Sequence, residues 1–231
     1  MRSIARRLLV AASGLALGSG AGQGDPSWTQ HFLLEANELT TTGRNPYFVL
    51  EPGYRLVLED GAERLTITVL DDIQTVNGVD TRVVEERETR GGVLVEVSRN
   101  YYAISQRTNS VFYFGEDVDI YRDGKVVGHE GAWRAGVNGA RFGLMMAGLP
   151  LLNGRYYQEI APGVAMDRAQ IAGTTGTLTT SAGAFTSLLK VEESTPLEPG
   201  TRESKRYAPH VGLVQDGSLK LTRYGRASTV P

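Results

Sequence analysis

Four dipeptides, Asp60-Gly61, Asn77-Gly78, Gly91-Gly92 and Asp123-Gly124, punctuate the first half of the sequence, each between short runs rich in β-branched and aromatic residues. Asn, Asp and Gly tolerate the positive φ that a two-residue hairpin turn imposes. Neighbouring runs must then pair antiparallel, because parallel pairing needs long crossovers that are absent here. Tyr54 to Glu59, Arg64 to Leu70, Thr81 to Arg87 and Val93 to Ala103 are such runs. In the second of them Leu65, Ile67 and Val69 fall on one face and Arg64, Thr66 and Thr68 on the other, the pattern of a half-buried strand. Val111 to Gly115, Asp117 to Arg122 and Lys125 to Glu130 follow. Alternation returns at Arg155 to Ile160, Ala165 to Ala172, Thr177 to Ser181, Phe185 to Ser194, Arg202 to Ala208, Gly212 to Gln215 and Ser218 to Tyr224. A meander of about a dozen strands tends to curl or close. The expected fold is all-β, an antiparallel meander forming a curved half-barrel or barrel, with a two-sheet β-sandwich as the alternative. Trp28 to Leu39 places Phe32, Leu33, Ala36 and Leu39 at helical spacing and predicts one short amphipathic helix.

The first residues constrain location rather than fold. Arg2, Arg6 and Arg7 precede an apolar stretch, Leu8 to Gly18, too short to span a bilayer, and Ser19-Gly20-Ala21 fits the small-x-small cleavage rule. Residues 1–21 are expected to be a signal peptide, 22–44 a lead-in carrying the possible helix, 45–225 a single β domain and 226–231 a tail. Export by the general secretory or the twin-arginine route leaves a periplasmic or extracellular protein with no integral membrane segment in the mature chain. Loss of three arginines and no acids takes the net charge from -2 to -5. Without a basic run, a nucleic-acid partner is not expected. The chain has no cysteine, so no disulfide, lipid anchor or thiol chemistry is available.

Catalytic signatures are missing too: there is no G-x-S-x-G elbow, phosphate loop or dinucleotide fingerprint. His31, His129 and His210 lack metal-ligand spacing, and Asp117, Asp119 and Asp123 are better explained by a strand and its turn than by a calcium loop. No cofactor or metal is expected. The segment Gly131 to Gly154 is different, because it is long, glycine-rich and apolar with no period of two. It reads either as a lid over an apolar cavity, with Trp133, Phe142, Leu144, Met145, Met146 and Tyr157 as ligand contacts, or as a core plug at one end of the sheet. Around it stand His129, Glu130, Tyr156, Tyr157, Glu159 and Asp167. Glu130, Glu159 and Asp167 are the carboxylates that could converge as an acid-base pair or a hard-cation site, or simply line solvated strand edges beside Arg134, Arg155 and Arg168.

At these residues the chain resembles a family of exported bacterial and archaeal proteins of unassigned function. The resemblance is carried by Gly131-Ala132-Trp133-Arg134-Ala135-Gly136-Val137-Asn138-Gly139-Ala140, by Tyr157-Gln158-Glu159 leading to Gly163-Val164-Ala165-Met166-Asp167, and by Tyr207-Ala208-Pro209-His210-Val211-Gly212-Leu213-Val214, and spans roughly Asn45 to Gln215. It implies a shared β-rich fold of lipocalin-like or lipoprotein-carrier-like architecture and brings no catalytic residues. Phe142 stands where the pattern has proline, and His210 where it has glycine. The functional expectation is a non-enzymatic exported protein binding a small or elongated apolar molecule or lipid in a curved sheet. A carboxylate-based hydrolase or isomerase and a cell-surface interaction module are the alternatives.

Overall fold

The computed structural model describes residues 27–226; the expected leader, its cleavage site and the tail beyond Arg226 lie outside the described residues. Thirteen strands form one antiparallel sheet: β1 (Tyr54–Asp60), β2 (Glu63–Val76), β3 (Val79–Arg90), β4 (Val93–Ser105), β5 (Val111–Arg122), β6 (Arg141–Met146), β7 (Arg155–Tyr157), β8 (Glu159–Ile160), β9 (Arg168–Gly173), β10 (Leu189–Ser194), β11 (Glu203–Ala208), β12 (Gly212–Asp216) and β13 (Leu219–Arg226). Three of the hairpin turns adopt the double positive φ that their residues imply: Asn77-Gly78 at 49° and 77°, Gly91-Gly92 at 58° and 80°, Asp123-Gly124 at 52° and 74°.

The spatial order is β7-β9-β10-β11-β12-β13-β1-β2-β3-β4-β5-β6-β8. Its two ends, β7 and β8, are consecutive in the chain and separated by Gln158 alone, so the sheet curls into a nearly closed barrel whose seam is bridged by one residue. The long-range step is the β13–β1 ladder, from Lys220 opposite Glu59 to Arg226 opposite Tyr54. A two-sheet sandwich is not formed.

The expected helix over Trp28 to Leu39 is not formed either. A single 3₁₀ turn covers Ala36–Glu38, and residues 28–35 run extended, alternately part-buried and exposed. Tertiary pairing decides this: Thr29 N–H donates to Arg155 O and Thr29 O accepts from Tyr157 N–H, at 3.0 and 2.9 Å, which gives the open edge of β7 a partner. Phe32 then packs on Phe112 and Phe142, with ring centroids 6.0 and 6.4 Å away.

The segment 131–154 is likewise not a loop throughout. Trp133 and Arg134 pair with Glu116 and Gly115, and β6 pairs with both β5 and β8. Val111 to Gly115 and Asp117 to Arg122 belong to one strand, β5.

Leu58, Leu65, Val84, Leu189, Leu219 and Leu221 are fully buried and form much of the core. Glu85, Arg87, Arg99 and Asp119 occupy the other face of β3–β5, joined by ion pairs such as Arg99 Nη1 to Asp119 Oδ2 at 3.0 Å. No helix among the described residues is long and apolar enough to cross a membrane.

Candidate functional site

The start of the 131–154 excursion is held against β5 by a close backbone approach. A Cβ at Gly115, where φ is 144°, would lie 2.4 Å from Trp133 O, so only glycine lets the two strands meet. Ala135 N–H donates to Phe114 O at 2.8 Å and Gly136 N–H to Ala140 O at 2.8 Å, closing a tight loop over 136–140. Arg134 is fixed inside this arrangement. Its Nη2 donates to Asp117 Oδ2 at 2.8 Å and to Tyr101 OH at 3.2 Å, its guanidinium carbon sits 4.1 Å from the centre of the Tyr101 ring, and Tyr101 OH donates to the same Asp117 oxygen at 2.7 Å. Burial pulls the Asp117 carboxyl upward, but the bonds from Arg134 and Tyr101 outweigh it and hold Asp117 below the usual carboxylate range. Burial, with the bond to Asp117, pushes Tyr101 up to about 12.

Beside this triad lies a half-open pocket of about 270 Å³. Ala132, Trp133, Arg134, Val137, Asn138 and Ala140 of the excursion line one side with Asp117, and Ala161, Pro162 and Val164 line the other. The volume approaches the lower end of small-molecule sites, roughly 300 Å³. Trp133 is buried, and its Nε1 has no hydrogen-bond acceptor among the described residues.

Of the six expected ligand contacts, Trp133 lines this pocket. Phe142 belongs to an aromatic cluster with Phe32, Phe112 and Phe114, stacked on the last at 5.2 Å, and Leu144 lies opposite Phe112 in the β6–β5 ladder. Met146 is fully buried, whereas Met145 is half-buried with its sulfur 3.6 Å from Gln158 Nε2. Tyr157 is buried with the Arg168 guanidinium 5.9 Å from its ring centre. The three expected carboxylates have unlike surroundings: Glu130 is on an exposed turn, Glu159 is buried in β8, and Asp167 is half-buried, its carbonyl accepting from Gln158 and Glu159 N–H. Among the described residues no three His, Cys, Asp or Glu side chains gather closely enough to hold a metal.

A second polar assembly, which sequence reasoning missed, fills part of the barrel interior. Lys205 Nζ lies 2.8 Å from Glu193 Oε2 and 3.9 Å from Asp216 Oδ2, and Gln158 Nε2 donates to Glu193 Oε1 at 3.0 Å. Glu86 and Tyr102, on β3 and β4, interact electrostatically with Lys205 on β11. At least four strands separate β3 and β4 from β11 in the sheet order, so these side chains meet across the lumen. Burial drives the Glu86 carboxyl up to about 7, with Glu88, Asp216 and Glu116 adding to the rise and Lys205 opposing it. Burial also takes Asp216 up to about 6 and raises Tyr102 and Tyr207. Burial alone would depress the Lys205 ammonium; Asp216 and Glu193 outweigh it and raise it.

No family model, curated protein or solved structure matches the chain. The resemblance to exported β-rich proteins accordingly rests on the quoted motifs.

Proposed function

We propose that this chain is a non-enzymatic binding protein that takes a small, largely apolar molecule in the pocket between the 131–140 excursion and the 161–164 turn. One observation carries the reading: the pocket of about 270 Å³ is walled by the stretch that departs from strand alternation, with Trp133, Val137, Ala140 and Pro162 as apolar surface and Arg134, Asp117 and Asn138 as polar groups that orient a ligand. The barrel interior suits this role less well, since leucines pack one part of it and an ion network another. Tyr101, Asp117 and Arg134 satisfy one another and leave no activated nucleophile, which favours binding over catalysis.

Titration of the protein with an anilinonaphthalene sulfonate probe tests the site. Val137 is half exposed at the rim, so Val137→Trp fills the pocket without disturbing the core. We expect saturable binding by the parent and at least roughly tenfold weaker binding by the variant at an unchanged melting temperature, a loss of about 1.4 kcal/mol or more. Equal binding by both proteins would place the ligand elsewhere.

A further inference from the structure

The loop from β6 to β7 presents three leucines to solvent: Leu149 is 78% exposed, Leu151 66% and Leu152 59%, with Pro150 between them. Single exposed leucines are ordinary, but three within four residues at a loop tip form a contiguous apolar patch. The fold holds this loop firmly. The buried Asn45 donates through Nδ2 to Ala147 O at 2.9 Å and to Asn109 O at 2.8 Å, tying the loop to the neighbouring 106–110 turn. Gly148 N–H donates to Ser110 Oγ at 3.0 Å, and a Cβ at Gly148 would overlap Thr108 O. At the far end Asn153 N–H donates to Ile171 O and Gly154 N–H to Leu151 O, both at 2.8 Å. Bonds at both ends thus present the leucines in one fixed, outward geometry.

The surroundings say what covers them. Immediately after the loop, Arg155 is exposed and has no carboxylate within ion-pair distance among the described residues. Trp28 lies beside it, with the Arg155 guanidinium 5.6 Å and that of Arg168 4.5 Å from its ring centre. An indole flanked by guanidinium groups next to a leucine tip is the chemistry of the bilayer interface, where leucine enters the acyl boundary while Trp and Arg stay at headgroup level.

We infer that the 149–152 loop docks on a membrane surface, Leu149, Leu151 and Leu152 entering the interface and Arg155 facing anionic headgroups.

Flotation of the full chain with vesicles of phosphatidylcholine, with and without phosphatidylglycerol, tests this. The parent should float, more strongly with phosphatidylglycerol. Leu149→Ser/Leu151→Ser/Leu152→Ser should reduce partitioning by on the order of tenfold or more, and Arg155→Gln should weaken the preference for the anionic lipid, to which Arg2, Arg6 and Arg7 contribute equally in parent and variant. The apolar stretch Leu8 to Gly18 adds the same affinity to both proteins, so the loop is read from the difference between them, and equal flotation of parent and triple variant would overturn the inference. So would absence of binding, or a triple variant whose sole change is the loss of a concentration-dependent dimer. Quenching of tryptophan emission by brominated lipid gives a reading on the unmodified chain: Trp133 is buried, so quenching on vesicle addition reports Trp28, and none would equally overturn the proposal.

Discussion

Glu86 reaches the lumen from β3, and burial raises its carboxyl to about 7. A carboxyl whose folded pKa exceeds its unfolded value binds a proton more readily when folded, so its contribution is complete below about pH 4 and lost as pH rises through the folded pKa. With Asp216 raised to about 6, the interior should grow less stable between pH 5 and pH 8. At about 1.4 kcal/mol per unit, the two together correspond to a fall of a few kcal/mol. The lowered carboxyl of Glu51, at about 2, titrates outside that window. Urea unfolding at pH 5 and pH 8 should show the fall in the parent and a smaller one in Glu86→Gln; parallel curves would refute the assignment. His210 illustrates the opposite case, a residue whose departure from a sequence pattern has a backbone meaning. Its φ is 64°, where glycine is favoured, and its N–H donates to Pro46 O at 2.7 Å. His210→Gly keeps that bond and should raise stability by up to about 1 kcal/mol, read as a higher melting temperature. Glu86 was not legible because Thr81-Arg82-Val83-Val84-Glu85-Glu86 has no clean alternation. In a barrel with a charged lumen, moreover, a polar residue does not mark the outward face.

Among the elements, the hairpins were legible from their turns, and the faces of β2 follow its alternation, with Leu65 and Val69 buried. The strand β6 was not, because Arg-Phe-Gly-Leu-Met-Met is covered on both sides and carries no period of two. Its burial separates the two readings of the methionines. Met146 is a core residue, so Met146→Ala should cost about 2–5 kcal/mol, while the half-buried Met145 should lose clearly less on the same change. Thermal melts of the two single variants check this ordering; equal losses would mean that the bulge between Leu144 and Met146 places the side chains otherwise. The missing helix is the mirror case. Phe32, Leu33, Ala36 and Leu39 satisfy helical spacing, but Phe32 and Leu34 also satisfy a period of two, and an unpaired strand edge supplied the partner that a local pattern cannot specify. Trp133 was legible as part of an unusual segment, whereas Ala161 and Pro162 across the pocket carried no local signal of their own.

At the scale of the whole molecule, a meander predicts which neighbours pair but not where the sheet meets itself. Closure here depends on β13 finding β1, with Lys220 opposite Glu59 and Leu221 opposite Leu58. β13 therefore completes β1. While a ribosome is still adding residues before Leu219, β1 and β12 each keep a row of backbone donors and acceptors with nothing to engage. The chain has to wait, open on two sides, for β13, and such widely separated pairing makes for slow assembly. A chain ending at Ser218 should therefore be recovered as aggregates, where one ending at Arg226 stays monodisperse in size-exclusion chromatography. Any mutation or premature stop within β13 acts on a partner synthesised some 160 residues earlier, so damage to a strand made late would be felt first in one made early.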